Sequence, residues 1–229
     1  PAVAMATSLL PQYARAQTIS FTDPRIKASY VNVPSPGGTA DAVRGYLVQP
    51  AGNGPFPAVL VIHENRGLNP YIEDVARRLA AAGFLALAPD GLSSLGGYPG
   101  NDDDGRAMQA KLDQARLRTD MLNAARWLKA SKLSNGKLGV VGFCWGGGTG
   151  NFLAVALGDE LQAAVPYYGA AAETARVKDI KAPLLIHYAE NDANINAMWP
   201  AYEAALKAGN IRYEAFFYPG TQHGFHNNS

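Results

Sequence analysis

The stretch Val140-Val141-Gly142-Phe143-Cys144-Trp145-Gly146-Gly147-Gly148 decides how this chain is read. It sets the only cysteine of 229 residues in a Gly-x-Cys-x-Gly frame, behind an apolar, strand-like run and ahead of a small-residue, helix-like one. That pattern predicts a nucleophile elbow, a sharp strand-to-helix turn with sulfur where serine is more usual. Such a turn forces its central residue into a strained backbone conformation. Strand and helix then approach so closely that the flanking positions need glycine. The turn lifts the sulfur clear of the sheet and sets it at a helix N-terminus, where the dipole favours negative charge. A cysteine placed only for packing, the ordinary fate of a buried thiol, would need none of this glycine.

On either side of the elbow, strand and helix signals alternate. Residues 29–33 and 43–49 read as an antiparallel pair joined by Pro34-Ser35-Pro36-Gly37-Gly38. The continuous apolar run Ala58-Val59-Leu60-Val61-Ile62-His63 predicts a strand buried on both faces. Residues 71–82 have helical spacing, with Ile72, Val75, Ala76 and Leu79 on one face and Gly83 as the stop. A strand over 84–88, a glycine-rich loop over 91–105 and one long helix over 106–132 follow. Then come strands over 138–143, 163–168, 183–188 and 213–218, with helices over 149–157 and 198–208. This alternation predicts an α/β fold with a mostly parallel central sheet and helices on both faces, forming a single domain over 18–229.

Composition bounds the function. The chain is 48% hydrophobic, enough for a large core without disulfides, and a lone cysteine makes no internal bridge. A formal charge of +1 with no Lys/Arg block argues against nucleic acid as a partner. No apolar run approaches the ~20 residues a membrane span needs. Residues 1–17, alanine-rich and without acids, read as the remnant of an export signal, Ala14-Arg15-Ala16 supplying small residues for cleavage. The expected location is therefore periplasmic or exported. The alternative is an N-terminal extension of a cytoplasmic protein. A sheet of this kind normally ends in a covering helix, and one is expected beyond Ser229. The oligomeric state is not legible.

In such a sheet, chemistry collects at the carboxyl ends of the strands. His63, Glu64, Asn65 and Arg66 follow one strand, and Asp90 the next. Cys144 follows the central one, Glu190 and Asp192 another, and Thr221, Gln222 and His223 the last. Nucleophile, acid and histidine thus occur in the order Cys144, Asp192, His223, each on a predicted strand-end loop, which is the order of an α/β-hydrolase triad.

Here the sequence resembles the dienelactone hydrolases of the α/β-hydrolase superfamily. The resemblance runs from about Val43 to His226. It is carried by Ser134-Asn135-Gly136-Lys137 leading into Gly142-Phe143-Cys144-Trp145-Gly146-Gly147, by His63-Glu64-Asn65-Arg66-Gly67-Leu68-Asn69, by Glu190-Asn191-Asp192 and by His223-Gly224-Phe225. It implies an α/β-hydrolase fold and an enzyme that opens carboxylic esters or lactones through a thioester acyl-enzyme. Cys144 would be the nucleophile, His223 the general base and acid, and Asp192 the group orienting His223. The family's glutamate maps to Glu64, which would contact the resting thiol, and the backbone N–H groups of Asn65 and Trp145 would form the oxyanion hole. The partner is then a small-molecule ester or lactone, with no cofactor and no metal. Dienelactone hydrolase proper holds its substrate carboxylate with arginines, one shortly after the triad histidine. Here Gly224, Phe225, His226, Asn227 and Asn228 stand there instead. Because thiolate is expelled readily from a tetrahedral intermediate, activated esters and lactones are expected over amides.

Each residue has a plainer rival. Glu64 could cap the next helix, His63 could be a packed strand-end residue and His187 a structural one. Tyr98, Trp199 and Phe225 are candidate pocket walls. His223-x-x-His226 has no further ligand pair at zinc spacing, and Asp102-Asp103-Asp104-Gly105 fails the calcium-loop pattern. Two other functions stay open: a thiol redox sensor or peroxidase working through Cys144, and a non-catalytic binder that keeps the old pocket.

Overall fold

A computed structural model describes residues 17–228. The expected export-signal remnant lies outside this range apart from Gln17, as does the covering helix expected beyond Ser229. Eight strands form one sheet in the order β1-β2-β4-β3-β5-β6-β7-β8. They are β1 (Ile26–Pro34), β2 (Ala42–Pro50), β3 (Phe56–Ile62), β4 (Leu85–Pro89), β5 (Ser134–Phe143), β6 (Ala163–Tyr167), β7 (Leu184–Asn191) and β8 (Tyr213–Gln222). β1 and β2 form the expected antiparallel hairpin, and β2 also runs antiparallel to β4. From β4 to β8 every pairing is parallel. The strand order reverses on either side of β3, so β5 lies mid-sheet and its carboxyl end opens onto a crevice.

The helices are α1 (Pro70–Ala81), α2 (Asp102–Gln109), α3 (Gln114–Ala130), α4 (Trp145–Leu157), α5 (Ala193–Asn196) and α6 (Trp199–Ala208). Asn69 caps α1, accepting from Ile72 N–H at 3.1 Å, so Glu64 is not its cap. The long helix expected over 106–132 is broken in two. Asp113 caps α3, its carboxylate accepting from the N–H groups of Ala115 and Arg116, and Gln114 reaches back to the carbonyls of Gln109 and Leu112. These local bonds satisfy backbone groups that a continuous helix would have used, and apolar periodicity does not register such a stop.

Each face of the sheet carries its own core. Leu60, Ile62, Leu138 and Val140 pack against Leu117, Met121 and Leu128 of α3 and Leu153 and Leu157 of α4. On the other face Val61, Ala86 and Ala88 pack against Tyr71, Ile72 and Val75 of α1. Beyond α1 that face is open: a cavity of about 640 Å³ runs along Val59, Val141, Val165 and Tyr167, with Leu79 and Arg78 of α1 on its wall. No helix among the described residues is long and apolar enough to cross a membrane.

Candidate active site

Cys144 sits between β5 and α4 with φ 55° and ψ −115°, in the left-handed half of backbone space that a side chain normally avoids. Its N–H donates to the Tyr167 carbonyl at 3.1 Å and its carbonyl accepts from Gly148 at 3.1 Å, bonds that hold the turn. The glycine frame is enforced by backbone on both sides. A methyl group at Gly142 would come within 2.0 Å of the Gly146 carbonyl oxygen. One at Gly146 would lie 2.4 Å from the Ile62 oxygen, and one at Gly147 2.4 Å from the Tyr167 oxygen. The elbow expected from the sequence is therefore present, and Cys144 is half-buried at its apex.

Asp192 and His223 directly follow β7 and β8, and the parallel pairing of those strands brings them together. His223 Nδ1 lies 2.5 Å from Asp192 Oδ2. Hydrogen bonding to Cys144 raises the imidazole most. Partial burial opposes this, the Asp192 bond adds to it, and the net position is about 9. The Asp192 carboxylate and the Cys144 thiol thus both act on the one imidazole. Tyr168 flanks it, its ring 5.0 Å from that of His223.

Glu64 is buried beside these groups. Burial raises its carboxyl above the ordinary range, while Arg66 and the hydrogen bond from Asn227 pull it down. Asn227 Nδ2 donates to Glu64 Oε2 at 2.9 Å, and Arg66 Nε lies 3.5 Å from the same oxygen. Asn65 and Arg66 follow on the same loop. Among the described residues, the backbone N–H groups of Asn65 and Trp145 donate to no protein acceptor. The elbow packs directly on that loop, since Gly146 abuts the carbonyls of Ile62 and His63.

Residue-by-residue reading of the sequence gave Arg66 no role, yet it is central here. Its Nη1 donates to Asp102 Oδ2 at 2.9 Å, and it feels the charge of both Glu64 and Cys144. Asp102 also accepts from Tyr98 Oη at 2.8 Å and from Asn69 Nδ2 at 3.2 Å. These donors occupy the carboxylate that the acidic run offered to a cation and pin the start of α2 to the site loop. The one trace of this in the sequence is the glycine at 105, where a methyl group would stand 2.3 Å from the Arg66 carbonyl oxygen. Asp90 is likewise structural: it accepts from the N–H groups of Leu92 and Tyr98 at 3.0 and 2.9 Å and orders the glycine-rich loop.

The candidate pocket walls divide. Phe225 packs on Tyr168 and Tyr218 near His223. Trp199 packs on Tyr188, Tyr202 and Phe217, so it belongs to the α6 side of the core and not to the site. His187 stacks on Tyr167 at 4.3 Å and shares a 2.7 Å hydrogen bond with the Tyr218 hydroxyl, a structural placement. His226 is bonded to the Tyr71 hydroxyl and packed on Phe143, and burial drives its pKa down to about 4.

A family model described as the dienelactone hydrolase family matches residues 43–229. A relative from Escherichia coli (strain K12), provisionally named carboxymethylenebutenolidase, is 31% identical over 92% of this chain and 82% of its own length. A second from the same strain, a provisionally named hydrolase fragment YghX, is 63% identical over 49% of this chain and 96% of its own. Among solved structures, a provisionally assigned dienelactone hydrolase from Klebsiella pneumoniae superposes with a TM-score of 0.76 at 29% identity, covering 87% of this chain and 88% of that one.

Proposed function

The chain belongs to the dienelactone hydrolase family, and from that premise we propose that it hydrolyses carboxylic esters or lactones through Cys144, His223 and Asp192. The observation that supports this reading is the His223 imidazole, bonded to the Asp192 carboxylate at 2.5 Å and raised most by Cys144. Cys144, its proton passed to His223, attacks the ester carbonyl. The carbonyl π pair moves to oxygen, and the oxyanion is met by the N–H groups of Asn65 and Trp145. Preorganised donors of this kind are worth about 3–4 kcal/mol each in barrier. The intermediate collapses to a thioester as His223 gives its proton to the departing alkoxide. Water, its proton taken by the same imidazole, then attacks the thioester. A second collapse breaks the carbon–sulfur bond, releases the acid and leaves the thiolate beside the protonated imidazole, as at the start of the cycle. Asp192 keeps the Nδ1 side of the ring occupied, so that Nε2 faces the sulfur.

The deciding experiment is incubation with a panel of 4-nitrophenyl esters and lactones, followed by mass spectrometry of the peptide containing Cys144. An acyl mass on that peptide is expected. Turnover with no adduct at any time, or an adduct elsewhere, overturns the thioester route. Within the panel, neutral lactones and esters are expected to give a higher kcat/KM than carboxylate-bearing ones, because Arg66 is engaged by Asp102 and Glu64. Simple anilides are expected to be poor substrates. A preference for the carboxylate-bearing members would show Arg66 to be a free anchor.

The pH profile follows from His223. Its pKa is raised in the folded protein from 6.5 to about 9. The stability that its contacts contribute is therefore complete below about pH 6.5 and lost as pH rises through about 9. The imidazole must carry a proton to release the alcohol, so kcat/KM is expected to fall on the alkaline side near pH 9. Asp192→Asn removes one of the raising contacts. It is expected to move that limb to lower pH and to lower kcat by about 100-fold or more. An alkaline limb that stays put in this variant would assign it to another group.

A further inference from the structure

We propose that His63 is a positioning residue for the oxyanion hole, aiming the Asn65 N–H through the peptide bond it shares with Glu64. The inference rests on the hydrolytic reading above. His63 is wholly buried at the end of β3, and its ring is fixed on three sides. The Gly91 N–H donates to Nε2 at 3.0 Å. With Nε2 committed as an acceptor, the neutral ring carries its proton on Nδ1. Nδ1 lies 2.5 Å from the Glu64 carbonyl oxygen and therefore donates to it. The third contact is Trp145, whose indole stacks on the imidazole at 5.5 Å and an interplanar angle of 20°.

The consequence lies in the geometry of the amide. The Glu64–Asn65 peptide is trans, so its C=O and N–H point in opposite directions. Holding the carbonyl against the buried imidazole turns the Asn65 N–H away from it, to the side where that N–H has no protein acceptor. A hydrogen bond accepted by the carbonyl also polarises the amide and strengthens its N–H as a donor. The stack on Trp145 ties the second donor to the same ring. A packed strand-end histidine needs neither the tautomer nor the missing side chain at residue 91, where a methyl group would stand 2.8 Å from Nε2.

The test separates the two ring nitrogens. In His63→Asn the amide nitrogen replaces the Nδ1 donor. In His63→Gln the longer amide reaches Gly91 and leaves the Glu64 carbonyl unbonded. His63→Phe keeps the stack and loses both bonds. With 4-nitrophenyl acetate, the Gln and Phe variants are expected to lose about 10- to 100-fold in kcat with KM nearly unchanged, a fraction of the 10²–10³ that follows removal of a whole donor. The Asn variant is expected to stay within a few-fold of wild type. The carbonyl stretch of the ¹³C-acetyl thioester, read by infrared difference spectroscopy, should move to higher frequency in the Gln and Phe variants, because a weaker oxyanion hole polarises it less. The proposal is overturned if Gln and Phe keep wild-type kcat, if only KM changes, or if Asn and Gln fall together with the stretch unmoved. Should His63→Phe not fold, the Asn/Gln pair and the stretch decide. No ester turnover by wild type removes the hydrolytic reading itself, whereas turnover with unmoved variants removes only the role of His63.

Discussion

Cys144→Ala is expected to lower kcat/KM for 4-nitrophenyl esters by about 10⁴-fold or more, the scale seen when the nucleophile of a cooperating triad is removed. The loss should come with an unchanged fold, since the thiol is only half-buried at the elbow apex and alanine needs no new space. What remains is the small contribution of the N–H donors and the binding surface. Cys144→Ser is expected to fall between the two. Its oxygen keeps the position and the contact with His223, but an alcohol is much harder to deprotonate than a thiol, and the site is built around sulfur. The same pair of proteins separates the rival functions. Peroxide consumption by wild type with no ester turnover would indicate thiol redox chemistry, whose electrons would have to come from an external thiol because the chain holds no second cysteine. Inertness in both assays would leave a ligand-binding member of the fold.

The elements that were legible in the sequence are those where one physical constraint acts locally. The glycine frame is an example: each of Gly142, Gly146 and Gly147 faces backbone, so no other residue fits and the pattern survives as letters. The strands β3 and β4 show as unbroken apolar runs because both faces are covered over most of their length, whereas β5 and β6 alternate buried and half-buried residues where one face opens onto the cavity. The order Cys144, Asp192, His223 could be placed because each follows a strand that was itself visible. The rest depends on distant pairings. Arg66 meets Asp102 only because α2 folds back over the site loop, and no spacing rule links residues 36 apart. Glu64 meets Asn227 across 163 residues. The break between α2 and α3 was hidden because apolar periodicity continues across Asp113, and only its capping bonds reveal the stop. His63 was visible as a buried strand-end residue. Its tautomer was not, because that depends on an N–H supplied from the end of β4.

The glycines that make the elbow readable also give the largest expected effect on stability. Gly146→Ala would place a methyl group 2.4 Å from the Ile62 oxygen and 2.5 Å from the His63 oxygen, both backbone atoms of a central strand end. No side chain can swing aside, so β3 and α4 must separate. The expected cost is about 3 kcal/mol or more, a fall in Tm of roughly 6–12 °C for a chain of this size. Activity should fall further than stability accounts for, because the separation shifts the Asn65 and Trp145 N–H groups relative to the sulfur. Gly150→Ala is the control within the same helix. Its methyl group would meet Val140 Cγ1 at 3.6 Å, an ordinary contact, and alanine is favoured over glycine in a helix interior by about 0.5–1 kcal/mol. That variant is expected to melt slightly higher than wild type and to keep its activity. Thermal denaturation of the two proteins side by side checks the argument. A Gly146→Ala protein with wild-type Tm would mean that the strand–helix approach is looser than the elbow requires, and the case for Cys144 as a strained, presented nucleophile would lose its structural basis.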